Sequence, residues 1–294
     1  MITMRSRAGQ AIAGLPVLAL ALALAGCGGA THPDSSSPPW PDTSLHYTPN
    51  SNFGQSGRYL PRADGFNLAD VSVYDKGQLD SLPPGVRGLV WIGDCSGVTA
   101  AFRSAVGAFA GDPKLFGFYV MDEPNPSTCK PAHLLAEDNW IHAHVPGAET
   151  FAILENLGSE KIPTFDGSYT PQDSGLDLIG LDPYPVRSEL HSPDYNEISR
   201  YVTAAEAQGW PESSMVPVYQ TFGGGNYPDD ANGYWVLPTV AQERQMLADW
   251  AALVPNPKFD YAYSWGSQQK DTALNSSAAL QAVFAAKNTH PKSP

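Results

Sequence analysis

Positive charge is scarce in this sequence. Its 17 lysines and arginines stand against 30 aspartates and glutamates, which gives a net charge of −13. An acidic surface repels the phosphates of nucleic acids, so we expect no nucleic-acid partner. The same balance disfavours attachment to anionic lipid through side chains.

Several motifs of nucleophilic and phosphate chemistry are also missing. The chain has no Gly-x-Ser-x-Gly, and neither of the glycine-rich phosphate-binding patterns occurs. His142 and His144 are two residues apart in a helical stretch, so they face different sides and make a poor metal pair. The segment 229–233 suggests a calcium loop only superficially, because Pro228 falls at the first ligand position. We expect neither a metal nor a cofactor.

The chain starts with the composition of an export signal. Two arginines in the first seven residues precede an apolar run over residues 11–24, which is shorter than the roughly 20 residues of a membrane-spanning helix. Leu24-Ala25-Gly26-Cys27 resembles the lipobox of bacterial lipoproteins. The resemblance implies that residues 1–26 are a signal peptide and that a lipid on Cys27 anchors the chain to the extracytoplasmic face of the cell membrane. An ordinary signal peptide that contains Cys27 is the alternative.

The rest of the chain divides into a tether and one domain. Residues 27–56 include Ser35-Ser36-Ser37-Pro38-Pro39 and show no apolar periodicity, which is typical of a flexible tether. The whole chain is 42% hydrophobic and 11% aromatic, which favours a packed globule. We assign residues 57–294 to a single domain without internal repeats, and we expect a monomer.

Apolar runs alternate with amphipathic stretches throughout this domain. Most of the runs are continuously apolar, as parallel strands covered on both faces are. Alternation over about 230 residues predicts a (β/α)8 TIM-type barrel, with a doubly wound open sheet as the competitor. The eight runs are Gly57–Leu60, which is weak, Phe66–Val73, Gly88–Gly93, Leu115–Met121, Thr150–Leu154, Leu176–Leu181, Val216–Tyr219 and Phe259–Ser264.

Carboxylates and aromatic residues follow these runs. In a (β/α)8 barrel the carboxyl ends of the strands carry the chemistry. Sugars offer hydroxyls to carboxylates and amides, and apolar faces to aromatic rings, so this set predicts a sugar site. The alternative is that the acids cap helices and the rings fill the barrel mouth. The set comprises Trp91, Asp94, Asp122, Glu123, Glu155, Asp182, Tyr184, Gln220 and Trp265.

Two cysteines remain once Cys27 is assigned to the lipid. Cys95 and Cys129 follow the third and fourth runs, so neighbouring loops would place them on one face of the barrel. An exported protein favours disulfides, and we predict a bridge between them, with two free thiols as the alternative.

Two of the runs resemble strands of a known family. The segment Phe116–Pro124, which ends in Asp-Glu-Pro, is similar to the fourth strand of the retaining glycoside hydrolase barrels, and Asp177–Pro185, which contains Asp-Pro-Tyr-Pro, is similar to their sixth. Trp265 stands where their eighth-strand tryptophan belongs. The resemblance implies a polysaccharide substrate, with Glu123 as general acid. Asp122 stands where that family has an asparagine.

The seventh strand departs from this family, because Gln220 stands where the nucleophilic glutamate is expected. Glu123 could act with Asp182, Asp94 or Glu155 as base in an inverting reaction. Alternatively, Asp122 could orient an acetamido group of the substrate, which would then be the nucleophile. A lipoprotein that binds glycan without cleaving it also fits this departure, and so does an envelope scaffold that uses the barrel mouth for protein.

Strand geometry bears on Asp122 and Glu123 together. Neighbouring residues of a strand point to opposite faces, so both acids reach the mouth only if the strand has ended by then. Pro124 favours such an ending.

Overall fold

The structure, a computed structural model, describes residues 40–290 except 166, 168, 226 and 230–232. The predicted signal peptide and Cys27 lie outside the described residues, and so do residues 28–39 of the predicted tether.

Eight parallel strands form a closed barrel in which each strand pairs with the next and β8 pairs with β1. This confirms the predicted (β/α)8 fold. The strands are β1 His46–Thr48, β2 Leu68–Ser72, β3 Arg87–Trp91, β4 Leu115–Asp122, β5 Glu149–Ile153, β6 Leu178–Leu181, β7 Met215–Gln220 and β8 Asp260–Tyr263.

Seven α-helices lie between or after the strands in the described part of the chain. They are α1 Lys76–Ser81, α2 Ala100–Gly107, α3 Pro131–His144, α4 Pro171–Ser174, α5 Asn196–Ala207, α6 Val240–Leu253 and α7 Ala278–Asn288. Threonine hydroxyls cap α2, α4 and α6 at their first turns. None of the described helices is both long and apolar enough to cross a membrane.

The first strand is not where the sequence pattern predicts it. The weak run Gly57–Leu60 forms no barrel strand, and β1 lies inside the segment assigned to the tether. β1 has three residues, which are too few to show a strand pattern. Its polar residues, His46 and Thr48, are buried against partners distant in sequence. Thr48 donates to the carbonyl of Ala262 at 2.8 Å, for example. The described residues from Trp40 to Ser56 therefore belong to the barrel.

Two separate apolar cores hold the barrel together. One fills its interior with inward side chains such as Leu89, Phe151 and Phe259. The other lies between the sheet and the helices and includes Phe118, Leu134 and Leu247. Continuously apolar strands supply both cores, which is why their pattern predicts a sheet covered on both faces.

β4 is irregular at two points. Its pairing register shifts against β3 near its start and against β5 between Tyr119 and Met121. Such bulges insert a residue and turn the side chains that follow. As a result Val120 and Met121, although neighbours, both pack outside the barrel, while Tyr119 packs inside it. The hydroxyl of Tyr119 donates to Asp122 at 2.5 Å.

Candidate functional site

Two neighbouring clefts open at the carboxyl ends of the strands. The first, here called the acid cleft, has a volume of about 460 Å³ and the second, the tyrosine cleft, about 410 Å³. Tyr227 lines both clefts, so they adjoin. The acid cleft is lined chiefly by Glu123, Glu155, Glu160, Asp182, Glu197, Tyr184, Phe222 and Trp235, and the tyrosine cleft by Tyr47, Asp70, Trp91, Tyr119, Asp122, Tyr261 and Tyr263.

The end of β4 divides two adjacent acids between these clefts. β4 ends at Asp122, whose side chain lines the tyrosine cleft. Glu123 follows with a left-handed backbone (φ 43°), and its N–H donates to the carbonyl of Ile153 at 3.1 Å. That conformation is rare outside glycine and is found at functional sites. Through it both carboxylates reach the mouth, on different sides.

Asp182 faces Glu123 from the end of β6. Both side chains line the acid cleft. Burial, followed by the charges of Glu123 and then Asp122, raises the pKa of Asp182 well above its usual range. Both effects favour the protonated form of Asp182.

Aromatic rings form one wall of the acid cleft. Tyr184 makes edge contacts with Phe222 and Trp235, with ring centroids 5.0 and 5.3 Å apart. Behind Trp235, the guanidinium of Arg187 lies 5.8 Å from the ring centroid and forms a buried ion pair with Glu197 at 3.0 Å. Burial raises the pKa of Glu197 to about 7, although Arg187 lowers it. Arg187 and its ion pair with Glu197 therefore hold the ring of Trp235 in place on the side away from the cleft.

The tyrosine cleft contains two carboxylates. Burial raises the pKa of Asp70, while the N–H of Asn50, which donates to it at 3.2 Å, lowers it. Removal from water likewise raises the pKa of Asp122, and the hydroxyl of Tyr119 lowers it. Trp91 packs edge-on against Tyr119, with centroids 4.7 Å apart.

The structure brings together most of the residues predicted for a sugar site. Glu123, Glu155, Asp182 and Tyr184 line the acid cleft, and Trp91 and Asp122 line the tyrosine cleft.

Three residues predicted to contact substrate lie elsewhere. Gln220 is fully buried, and its amide exchanges hydrogen bonds with the backbone of Val186 and donates to Val236. Trp265 packs in the outer core against Phe66. Asp94 accepts from Ser96 at 2.5 Å and lines neither cleft. The predictions for Gln220, Trp265 and Asp94 are therefore corrected.

The predicted disulfide is present. Cys95 and Cys129 are bonded, with Cα atoms 5.3 Å apart, and join the loops that follow β3 and β4. The carbonyl of Cys95 also contacts Nδ1 of His133 on α3 at 2.9 Å. The bridge braces the segment that follows Glu123.

Several residues of the clefts were not predicted from the sequence. Asp70 and Tyr263 lie within apolar strands and point inward, so the alternation of β2 and β8 could have placed them at the mouth. Tyr227 and Trp235 belong to a long loop after β7, and no periodic pattern locates such residues.

One cluster outside the clefts has the residue types of a metal site. Atoms of Asp138, His142 and Asp177 lie within 4.8 Å of one another. The two ring nitrogens of His142, however, face the two carboxylates at 3.5 and 3.0 Å. Thr150 also donates to both acids. The cluster is satisfied as a hydrogen-bond network that joins α3 to the starts of β5 and β6.

These features define a single-domain (β/α)8 barrel with an acidic, aromatic-walled mouth, and solved structures share its fold. The GH18 chitinase ChiB of Flavobacterium johnsoniae is 11% identical, with a TM-score of 0.53 over 85% of this chain and 94% of that one. Catalytic domain 2 of the Ostrinia furnacalis Group II chitinase is 12% identical, with a TM-score of 0.53 over 86% and 98%.

A β-galactosidase from the psychrophilic Marinomonas ef1 has 11% identity and a TM-score of 0.52, over 83% of this chain and 58% of that one. No protein-family model matches the chain, and no curated protein is similar to it in sequence. At these identities the likenesses show the fold.

Proposed function

We propose that this protein hydrolyses O-glycosidic bonds of a polysaccharide in the acid cleft. The observation that carries the proposal is that Glu123 and Asp182 line one cleft beside aromatic rings, where burial and the charge of Glu123 raise the pKa of Asp182. The glycosidase folds of similar structures support the same conclusion. A polysaccharide offers hydroxyls to the carboxylates and ring faces to Tyr184 and Trp235.

The two acids divide the work of hydrolysis. Glu123, at the rim, gives its proton to the glycosidic oxygen as the bond from that oxygen to the anomeric carbon breaks. In an inverting reaction, Asp182 as carboxylate takes a proton from water while the water oxygen bonds to the anomeric carbon. Burial and the charge of Glu123 raise the pKa of Asp182, so this course requires Glu123 to carry the proton while Asp182 is ionised.

Gln220 bears on the course of the reaction. Its amide is committed to the backbone of Val186 and Val236, so β7 supplies no nucleophile to the cleft. An inverting course, or one assisted by an acetamido group of the substrate, remains open to Glu123. The same observation favours the second candidate function, which is glycan binding without cleavage.

We also propose that the protein is exported and anchored by a lipid on Cys27. The lipobox-like Leu24-Ala25-Gly26-Cys27 supports this, and so does the Cys95–Cys129 disulfide, since disulfides persist in oxidising compartments. Replacing Cys27 by serine should release the protein from the membrane fraction into the medium, as immunoblots of both would show.

The test of hydrolysis uses the chain from Trp40 onward with a panel of neutral, acetylated and amino polysaccharides. Products would be separated by chromatography. We expect Glu123→Gln and Asp182→Asn each to lower the rate by about 10²–10⁴-fold, because each removes a proton-transfer group. Asp94→Asn is the matched control, since Asp94 follows β3 at the same end of the barrel but lines neither cleft, and it should leave the rate unchanged.

Unaltered product release by Glu123→Gln would overturn the assignment of the acid. If no polysaccharide is cleaved, but one of them retards both the parent protein and Glu123→Gln in affinity electrophoresis, glycan binding without cleavage replaces hydrolysis as the proposed function.

A further inference from the structure

The tyrosine cleft combines carboxylates with aromatic rings and has no positive charge of its own. No lysine, arginine or histidine is among the described residues that line it. Neither Asp70 nor Asp122 forms an ion pair with a described residue, whereas Glu197 in the acid cleft has Arg187. The two acids, of which Asp70 is half-buried and Asp122 is exposed, thus have no counter-charge among the described residues.

Aromatic rings surround these acids. The rings of Tyr119 and Tyr261 pack edge-on, with centroids 6.4 Å apart. The ring of Tyr47 also packs edge-on against Tyr261, with centroids 4.7 Å apart. The faces of such rings attract cations, and cages of aromatic rings are the usual means of binding ammonium groups. A charged hydrogen bond to a carboxylate adds to this attraction.

One buried polar atom in the cleft also lacks a partner. The side-chain amide nitrogen of Asn50 has no hydrogen-bond partner among the described residues, and Asn50 lines the cleft. Its backbone N–H, by contrast, donates to Asp70. Buried polar groups nearly always have a hydrogen-bond partner. A ligand hydroxyl group could accept a hydrogen bond from this amide nitrogen.

The clefts are also continuous. Tyr227 joins the tyrosine cleft to the acid cleft, and Asp70 and Trp91 join it to a third hollow of about 260 Å³ beside Phe53. A chain whose cleaved bond lies at Glu123 would therefore extend past Asp70.

We propose that the tyrosine cleft is a subsite for a sugar whose amino group is free, and that Asp70 and Asp122 hold its ammonium group. This subsite rests on the proposed function in one respect, which is that the ligand is a glycan. The substrate is then a polysaccharide with amino sugars that lack N-acetyl groups. Where such a sugar also stands at the cleaved bond, it has no acetamido group to act as nucleophile, and the inverting course with Asp182 as base is the one left.

The test compares three oligosaccharides of five units: glucosamine, N-acetylglucosamine and glucose. Binding is measured by isothermal titration calorimetry on Glu123→Gln, which prevents cleavage. We expect the glucosamine pentamer to bind at least tenfold more tightly than the other two, which is about 1.4 kcal/mol, and to lose this advantage in Glu123→Gln with Asp70→Asn. Adding Asp94→Asn instead should leave the advantage intact.

Thermal denaturation of the Asp70→Asn variant checks its folding, and a second measurement does not depend on any variant. The preference for glucosamine should decline as sodium chloride is raised, because salt screens the charges. Equal binding of all three pentamers, or a preference that is insensitive to Asp70→Asn, overturns the subsite and leaves hydrolysis untouched. If no polysaccharide is cleaved and no pentamer binds, the proposed function itself fails.

Discussion

Single residues decide how this barrel responds to pH, and Glu137 is the clearest case. Its side chain is fully buried on α3, and one oxygen accepts the N–H of Gly97 at 2.7 Å. Burial raises the pKa of Glu137 from 4.5 to about 8, and the charge of Asp94 adds to the rise. Between pH 4.5 and about 8, Glu137 is therefore protonated in the folded state and ionised in the unfolded state. The stabilising contribution is complete below pH 4.5 and is lost as the pH rises to about 8.

We predict that Glu137→Gln flattens this pH dependence. Its amide oxygen can still accept from Gly97, but the side chain no longer titrates. Relative to the variant, the unfolding free energy of the parent protein should fall by up to about 1.4 kcal/mol per pH unit between about pH 5 and 8. Urea unfolding at about pH 5, 6.5 and 8 measures this. Glu149→Gln, at a partly exposed ion pair with Lys258, is the control. Parallel curves for parent and Glu137→Gln would refute the prediction.

Gln220 allows a second prediction at this scale. Gln220→Glu restores the acid that the family resemblance led us to expect, but it removes the donor that satisfies the carbonyls of Val186 and Val236. We expect a loss of about 1–3 kcal/mol in stability and no gain in hydrolysis, since the side chain does not reach the cleft. Chemical denaturation and product assays measure both. Gln269→Glu, on an exposed loop, should change neither. Faster hydrolysis by Gln220→Glu would contradict the structural role of this amide.

At the scale of elements, β4 depends on close approach to β5. A Cβ atom on Gly117 would lie 2.1 Å from the carbonyl oxygen of Glu149, which belongs to the backbone of β5. Gly117→Ala must therefore separate the strands, and we predict a destabilisation of about 3 kcal/mol or more. Gly107→Ala is the control, because its Cβ would meet only Trp140 at 3.7 Å in α2, where alanine favours the helix.

Thermal unfolding of both variants would measure the difference. Because Gly117 precedes the end of β4 that positions Glu123, we also expect Gly117→Ala to lower hydrolysis. A variant as stable as the parent would show that β4 and β5 can move apart at little cost.

The strands from β2 onward could be predicted from sequence because their apolar runs are local properties of the chain. β1 could not, since it is three residues long and the side chains of His46 and Thr48 bond to partners 214 residues away. The mouth could be predicted in outline, because strand ends meet there in any such barrel. The division of Asp122 and Glu123 between two clefts depends on the bulges of β4. The buried position of Gln220 depends on the segment that contains Val186. Neither is a property of local sequence.

At the scale of the whole molecule, the position of β1 determines which part of the chain can fold. A chain that starts at Arg58 lacks β1, so β2 and β8 have no strand between them. It also loses His46 from the buried ion cluster in which His46 and Lys287 contact Asp260. We predict that a chain from Trp40 unfolds cooperatively on heating, whereas a chain from Arg58 aggregates or shows no transition.

Circular dichroism and size-exclusion chromatography of the two chains test this prediction. A cooperative transition in the shorter chain at the same temperature would mean that β1 contributes nothing to the barrel.

The pairing of β1 with β8 also sets an order of events in folding. Every other strand pair joins neighbours in sequence, but this seam joins His46 to Asp260. Closing so long a loop costs more entropy than closing the others, and a three-residue strand repays little of it. The first strand must therefore wait for the last, and until then the edge of β1 that faces β8 is open. We expect the amide protons of the seam to be the last in the sheet to gain protection during refolding.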